Sequence, residues 1–237
     1  MAGSHNTARI IGVVGASGSG KSRWLKSVLD RGNPPRLLIW DPLGEYDQGE
    51  VMTDLREVVE AVVTAGSDGP FRIVYRPGKR KKTYPDKFDT LCELVFAAGN
   101  LCLVVEELAD VTGPSPAETP DSWSVLSRQG RHEALTIFGV TQRPALIDKT
   151  FLGNCTMIHC SRLNDENDVR TMSRYLAVSQ DQVRAMVADK DAGRFDFIER
   201  DMQTGKTVSG VLPSLGSNTP KPVRNVRTLA EPAPNVT

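Results

Sequence analysis

The 237-residue chain contains no apolar run approaching the ~18 residues needed to span a bilayer, so it is not expected to cross a membrane on its own. It also lacks an excess of either charge. With 29 Lys and Arg against 29 Asp and Glu, a surface coated in one sign is excluded, while a local basic lining along which nucleic acid passes is not. Its first residues lack the charged-then-apolar pattern of a signal peptide, which makes the cytoplasm the expected compartment. Cysteine is sparse, at four residues. Cys92 and Cys102 sit inside apolar patterns. Cys155 and Cys160, with His159 between them, fall in an expected strand whose alternation sends neighbours to opposite faces, which favours buried reduced thiols over a zinc site. No internal repeat is visible.

What is present is an ordinary globular composition, 39% hydrophobic and 24% charged, and enough length to bury one α/β core. One domain is expected over residues 9–212, after a flexible stretch over 1–8. Residues 213–237 hold five prolines and almost no large apolar residues, the composition of a flexible tail or docking arm.

Apolar β-type runs recur at Ile10–Val14, Leu37–Trp40, Phe71–Tyr75, Leu101–Val105, Leu135–Val140 and Cys155–Cys160, with helix-like stretches between them. Strands separated by helices predict a mostly parallel central sheet covered on both faces. The continuous apolarity of Leu101–Val105 and Leu135–Val140 suits central strands, both expected to flank Ile10–Val14. Helices are predicted over Thr53–Ala65, capped by Thr53 or Asp54 and closed at Gly66, and over Asp86–Ala98, closed at Gly99. Arg194–Glu199 and Thr207–Val211 read as a β-hairpin added to the sheet.

Directly after the first run stands Gly15-Ala16-Ser17-Gly18-Ser19-Gly20-Lys21-Ser22, a complete G-x-x-x-x-G-K-[ST] loop, followed by an amphipathic segment with Trp24, Leu25, Val28 and Leu29. A strand feeding such a loop into a helix points backbone N–H groups at a phosphate chain. Lys21 is placed to reach the outer phosphates and the Ser22 hydroxyl to hold Mg²⁺, so ATP or GTP binding is expected.

The second acidic element decides the fate of a bound nucleotide. The run Leu101–Val105 ends in Glu106-Glu107, which offers one carboxylate to the Mg²⁺ shell and one to the water attacking the γ-phosphate. Glu106 is assigned the first role and Glu107 the second. Asp is the usual residue at the first position, so the division between the two stays open. After Leu135–Val140 comes Thr141-Gln142-Arg143-Pro144, where Gln142 is the candidate sensor of the γ-phosphate or the attacking water.

Five stretches, in order, resemble the HerA-FtsK superfamily of ATP-driven DNA pumps: Gly15–Ser22, the stretch Ile39-Trp40-Asp41-Pro42-Leu43-Gly44-Glu45-Tyr46, Val104 to Asp110, Gly130-Arg131-His132 and Thr141–Pro144. The resemblance covers about residues 9–200. It implies a RecA-like core, a homo-oligomeric ring, with a hexamer expected, and ATP-powered translocation of double-stranded DNA. It also implies an arginine supplied by the neighbouring subunit. Arg170, in Asp168-Val169-Arg170-Thr171-Met172, is the first choice, Arg131 the second, and Arg143 and Arg162 remain open.

The concentrated basic run, Arg76 followed by Lys79, Arg80, Lys81 and Lys82, reads as a pore-lining DNA contact or as a solvated loop. It has no interleaved aromatics to stack on single-strand bases. A motor with little room for extra domains resembles the genome-packaging ATPases of tailless icosahedral viruses with an internal membrane. The implied partners are duplex DNA and capsid-vertex or membrane-embedded packaging proteins, and the implied places are the host cytoplasm and the virion's packaging vertex. A HerA-like helicase or plasmid-mobilisation pump is the alternative. A small-molecule kinase and a nucleotide-switched module without motor activity fit less well.

Overall fold

The computed structural model describes residues 9–213 together with Arg227 and Thr228. The expected flexible segment 1–8 lies outside the described residues, as does the expected tail apart from Pro213 and that residue pair. In chain order the elements begin β1 (Ile10–Val14), α1 (Lys21–Gly32), β2 (Arg36–Trp40), β3 (Glu50–Met52), α2 (Leu55–Ala65), β4 (Phe71–Tyr75), α3 (Tyr84–Ala98) and β5 (Cys102–Val105). They continue α4 (Asp121–Gln129), β6 (Thr136–Thr141), α5 (Lys149–Asn154), β7 (Met157–Ser161), α6 (Glu166–Leu176) and α7 (Gln180–Arg184). The last are β8 (Ala188–Asp189), β9 (Arg194–Asp201), β10 (Thr207–Val211) and β11 (Arg227–Thr228). Two compact units hold them: one comprises Gly32–Thr141, Leu146–Cys155 and the start of β1, the other Gly12–Arg31, Gln142–Ala145 and the chain from Thr156.

In the first unit the strand order is β3-β4-β2-β5-β6, parallel throughout, with Leu38 opposite both Ile73 and Leu103, and Val104 opposite Phe138. The first residues of β1 lie beside β6. β5 is buried along its whole length, as its unbroken apolar sequence requires, and so is β2, whose opening Arg36 donates to the carbonyls of Gly66, Gly69 and Asn100. One expectation fails here: β5 pairs with β6 and β2, so of the two central runs only β6 neighbours β1. Asp54 caps α2 by accepting from Arg56 N–H, and Gly66 ends it at φ +62°. Pro85 occupies the first turn of α3, and Gly99 ends that helix at φ +54°. The core is a chain of rings. Trp40 lies 5.3–5.7 Å from Tyr75, Tyr84 and Phe88, Phe88 lies 5.6 Å from Trp123, and Trp123 lies 5.3 Å from Phe151. These contacts tie β2, β4, α3, α4 and α5 together, each worth about 0.5–1.5 kcal/mol beyond area burial.

In the second unit the end of β1 lies beside β7, and the order continues β9-β10-β11. β7 and β9 are antiparallel, as are β9 and β10, the hairpin read from the sequence. Cys155 corrects another expectation: it closes α5 rather than opening β7, and its thiol donates to Phe151 O. His159 is fully buried on β7, stacked 4.1 Å from Trp24 and 5.3 Å from Phe197, with its ring nitrogens facing Glu199 and Ser161.

Candidate active site

The glycine-rich loop belongs to the second unit. Ala16 N–H donates to Arg162 O, Ser19 N–H to Ala16 O, and Trp24 N–H to Gly20 O, which carries the chain directly into α1 at Lys21. The glycines are required by close packing and by dihedrals. A Cβ on Gly15 would stand 2.5 Å from Ser19 Oγ and 2.8 Å from Ser161 Cβ. On Gly20, at φ +96°, it would stand 3.1 Å from side-chain atoms of both Leu212 and Phe195. Lys21 is 5% exposed, and Ser19 is fully buried with its Oγ unpartnered among the described residues. No acidic residue sits in the first turn of α1 to offset its positive end. A backbone cradle cleared of Cβ atoms, a lysine and a helix N-terminus together fit a polyphosphate. The Ser22 hydroxyl and a carboxylate are the hard oxygen donors Mg²⁺ takes beside phosphates.

The acidic element belongs to the first unit. Glu106 N–H donates to Trp40 O, which extends the β5–β2 pairing past Val105, and the Glu106 side chain is fully buried. The Tyr46 hydroxyl donates to Glu106 Oε2 at 2.6 Å. Tyr46 is itself fixed by its turn: Asp41 Oδ1 accepts from Glu45 N–H and Asp41 Oδ2 from Tyr46 N–H. Burial, then the neighbouring Glu106 charge, pushes the Tyr46 phenol well above its ordinary pKa, so it stays a neutral donor. Glu107 adopts φ +50°, ψ +62°, the left-handed region that a side-chain-bearing residue enters at a cost. Its Oε1 accepts from Thr141 Oγ1 at 3.2 Å, so the end of β6 orients the second carboxylate.

The loop after β6 is held by α6. Arg143 Nε donates to Asp168 at 2.8 Å, Arg143 also pairs with Asp165 at 3.1 Å, and Ala145 N–H donates to Asp168 Oδ1. Arg143 is thereby committed within its own chain. Gln142, just before it, is half-buried. Arg162 is half-buried, with its Nε unpartnered among the described residues. Arg170 is exposed on α6, and Arg131 is exposed just beyond α4.

The basic run divides. Arg76 turns inward to Asp41 Oδ2 and Tyr46 O, a structural cation of the Asp41–Tyr46 turn rather than a loop charge. Lys81 pairs with Asp110 at 2.6 Å, while Lys79, Arg80 and Lys82 are exposed. Tyr46 and Thr141 stand within sequence motifs that give neither a role. Phe195 and Leu212 belong to no local pattern that connects them with a loop far away in the chain.

A buried strand entering this loop and helix, together with a second buried strand ending in paired acids, is the arrangement of P-loop nucleotide-binding proteins with a mostly parallel α/β sheet. No protein-family model matches the chain. It is 31% identical over 178 residues to Protein P9 of Pseudoalteromonas phage PM2, an alignment covering 73% of this chain and 78% of that protein, and it belongs to that protein's family. Among solved structures, it is similar to the genome packaging NTPase B204 from Sulfolobus turreted icosahedral virus 2 in complex with AMPPCP. That match has a TM-score of 0.67 and 19% identity, covering 88% of this chain and 98% of B204. VirB4 of Thermoanaerobacter pseudethanolicus matches with a TM-score of 0.54 and 14% identity over 83% of this chain and 88% of its own. These two likenesses establish the fold.

Proposed function

We propose that the chain is an ATP-hydrolysing motor that drives duplex DNA into a preformed viral capsid. The observation that carries this reading is Glu107: a carboxylate held in a left-handed backbone at the end of a buried strand, in a chain that also carries a complete phosphate loop. Kinship with Protein P9 and a fold shared with a packaging NTPase that binds an ATP analogue support it. Gly15 to Ser22 hold the phosphates, with Lys21 on the outer ones. Ser22 and Glu106 would hold Mg²⁺, which would supply charge neutralisation on the phosphate oxygens. Glu107 takes a proton from the attacking water as its oxygen bonds to the γ-phosphorus and the bond to the ADP oxygen breaks. Gln142 contacts the γ-phosphate or that water. Arg170 of an adjacent subunit in a ring, expected to be a hexamer, stabilises the charge that develops, and its exposure on α6 supports that role. Lys79, Arg80 and Lys82 make sequence-independent phosphate contacts along the DNA.

ATP turnover measured with and without linear duplex DNA tests this. Duplex is expected to stimulate the parent chain, and Glu107→Gln to lower turnover by about 10²–10⁴ while nucleotide binding persists. Mixing Lys21→Ala with Arg170→Ala subunits restores turnover if the arginine acts in trans. Turnover indifferent to DNA contradicts the motor reading, and separation of a forked duplex would favour a helicase.

A further inference from the structure

Lys190 belongs to none of the motifs above. It sits in the turn between β8 and β9, where Asp189 Oδ1 accepts the N–H groups of Asp191 and Ala192, both at 2.9 Å, and Gly193 turns the chain at φ +64°. β8 pairs antiparallel with β9, placing Ala188 opposite Phe195. The turn is thus anchored to the strand whose Phe195 packs against Gly20 of the phosphate loop. From there the Lys190 side chain lies over the loop itself. A methyl group on Gly18 would stand 3.2 Å from Lys190 Cε and 3.5 Å from its Nζ.

The Lys190 ammonium has no hydrogen-bond or ion-pair partner among the described residues, although Asp189 and Asp191 flank it in the sequence. Asp189 is occupied in making the turn. Nearby stand the positive end of α1, with no acid in its first turn, and the buried Lys21. Positive charges gathered in this way repel one another and are balanced by an anion held among them. We infer that Lys190 is a second phosphate-binding lysine, which reaches from the β8–β9 turn to the α- and β-phosphates cradled by the loop while Lys21 serves the β- and γ-phosphates. The inference rests on the nucleotide-binding reading of that loop. ADP and ATP share the two phosphates concerned, so Lys190 strengthens both complexes alike.

Equilibrium binding of fluorescent ADP and of a non-hydrolysable ATP analogue to the full chain tests this at fixed, low ionic strength. Lys190→Ala and Lys190→Gln are expected to weaken both ligands by about tenfold, the scale of one lost charge-assisted contact. Lys190→Arg should retain most of the affinity. Lys206→Ala removes an equal charge from the exposed β9–β10 turn and should bind as the parent does. Thermal unfolding without nucleotide should be the same for parent and Lys190 variants, since the side chain is exposed. Parent-like affinity in Lys190→Ala, alongside lost binding in Lys21→Ala, overturns the role of Lys190 and leaves the nucleotide reading standing. An equal loss in Lys206→Ala reduces the effect to general charge and also overturns it. A parent chain that binds neither ligand overturns both readings.

Discussion

Glu107 is the residue at which backbone and chemistry are most tightly joined. Its left-handed conformation costs about 1–2 kcal/mol relative to an ordinary one, and glycine alone enters that region freely. Glu107→Gly should therefore be more stable than Glu107→Ala by about 1 kcal/mol, although both lose the carboxylate and should lose turnover alike. Urea unfolding of the two variants, read beside ATP turnover, checks this. Equal stability would mean that the backbone relaxes when the side chain is removed and that the conformation serves no purpose of its own. Glu106 is handled differently, through a neutral phenol that fixes one of its oxygens from a turn 60 residues away.

At the scale of elements, the segment that carries Glu107 is packed against β6. Gly139 on that strand leaves room for α5, since a Cβ there would stand 2.4 Å from Phe151 Cζ and 3.0 Å from Leu108 Cδ2. Gly139→Ala is expected to cost about 1–3 kcal/mol by overpacking. It should also reduce turnover, because Leu108 directly follows Glu107; unchanged turnover in a destabilised protein would separate the packing from the catalysis. The strands are legible in the sequence wherever both faces are buried, as in β5, and the helices wherever a cap such as Asp54 or a stop such as Gly99 marks an end. The edge strand β3, at three residues, and α5, at six, are too short to show a period. With α5 hidden in this way, local pattern extends the strand back to Cys155. Strand order is set by crossover connections rather than by local pattern, which is why apolarity alone misplaces β5 beside β1. The motif residues of the candidate site can be read locally, but Phe195, Leu212 and Lys190 meet the phosphate loop only through tertiary pairing.

For the whole molecule, buried thiols and phenols set an alkaline limit. Burial pushes Cys92 and Cys160 upward and Cys102 up to about 12, and it raises Tyr46 well above its ordinary value and Tyr75 to about 12. In the unfolded chain these groups ionise near 9.0 and 10.0. Above pH 9 the unfolded state therefore binds fewer protons than the folded one. Stability is full below that pH and falls as pH rises toward 12. The urea midpoint should drop steadily between pH 9 and pH 11, and a flat profile would contradict this assignment of buried protons.

If ATP hydrolysis by this chain moves duplex DNA, the chain travels along the duplex as it turns over. Displacement of a third strand from a blunt-ended duplex tests it most directly, since a motor travelling on the duplex strips the triplex without parting the two strands beneath. ATP-dependent displacement by the parent chain is expected, with the duplex left paired, and none by Glu107→Gln. Parent turnover stimulated by duplex but without displacement would contradict it, as would displacement that persists in Glu107→Gln.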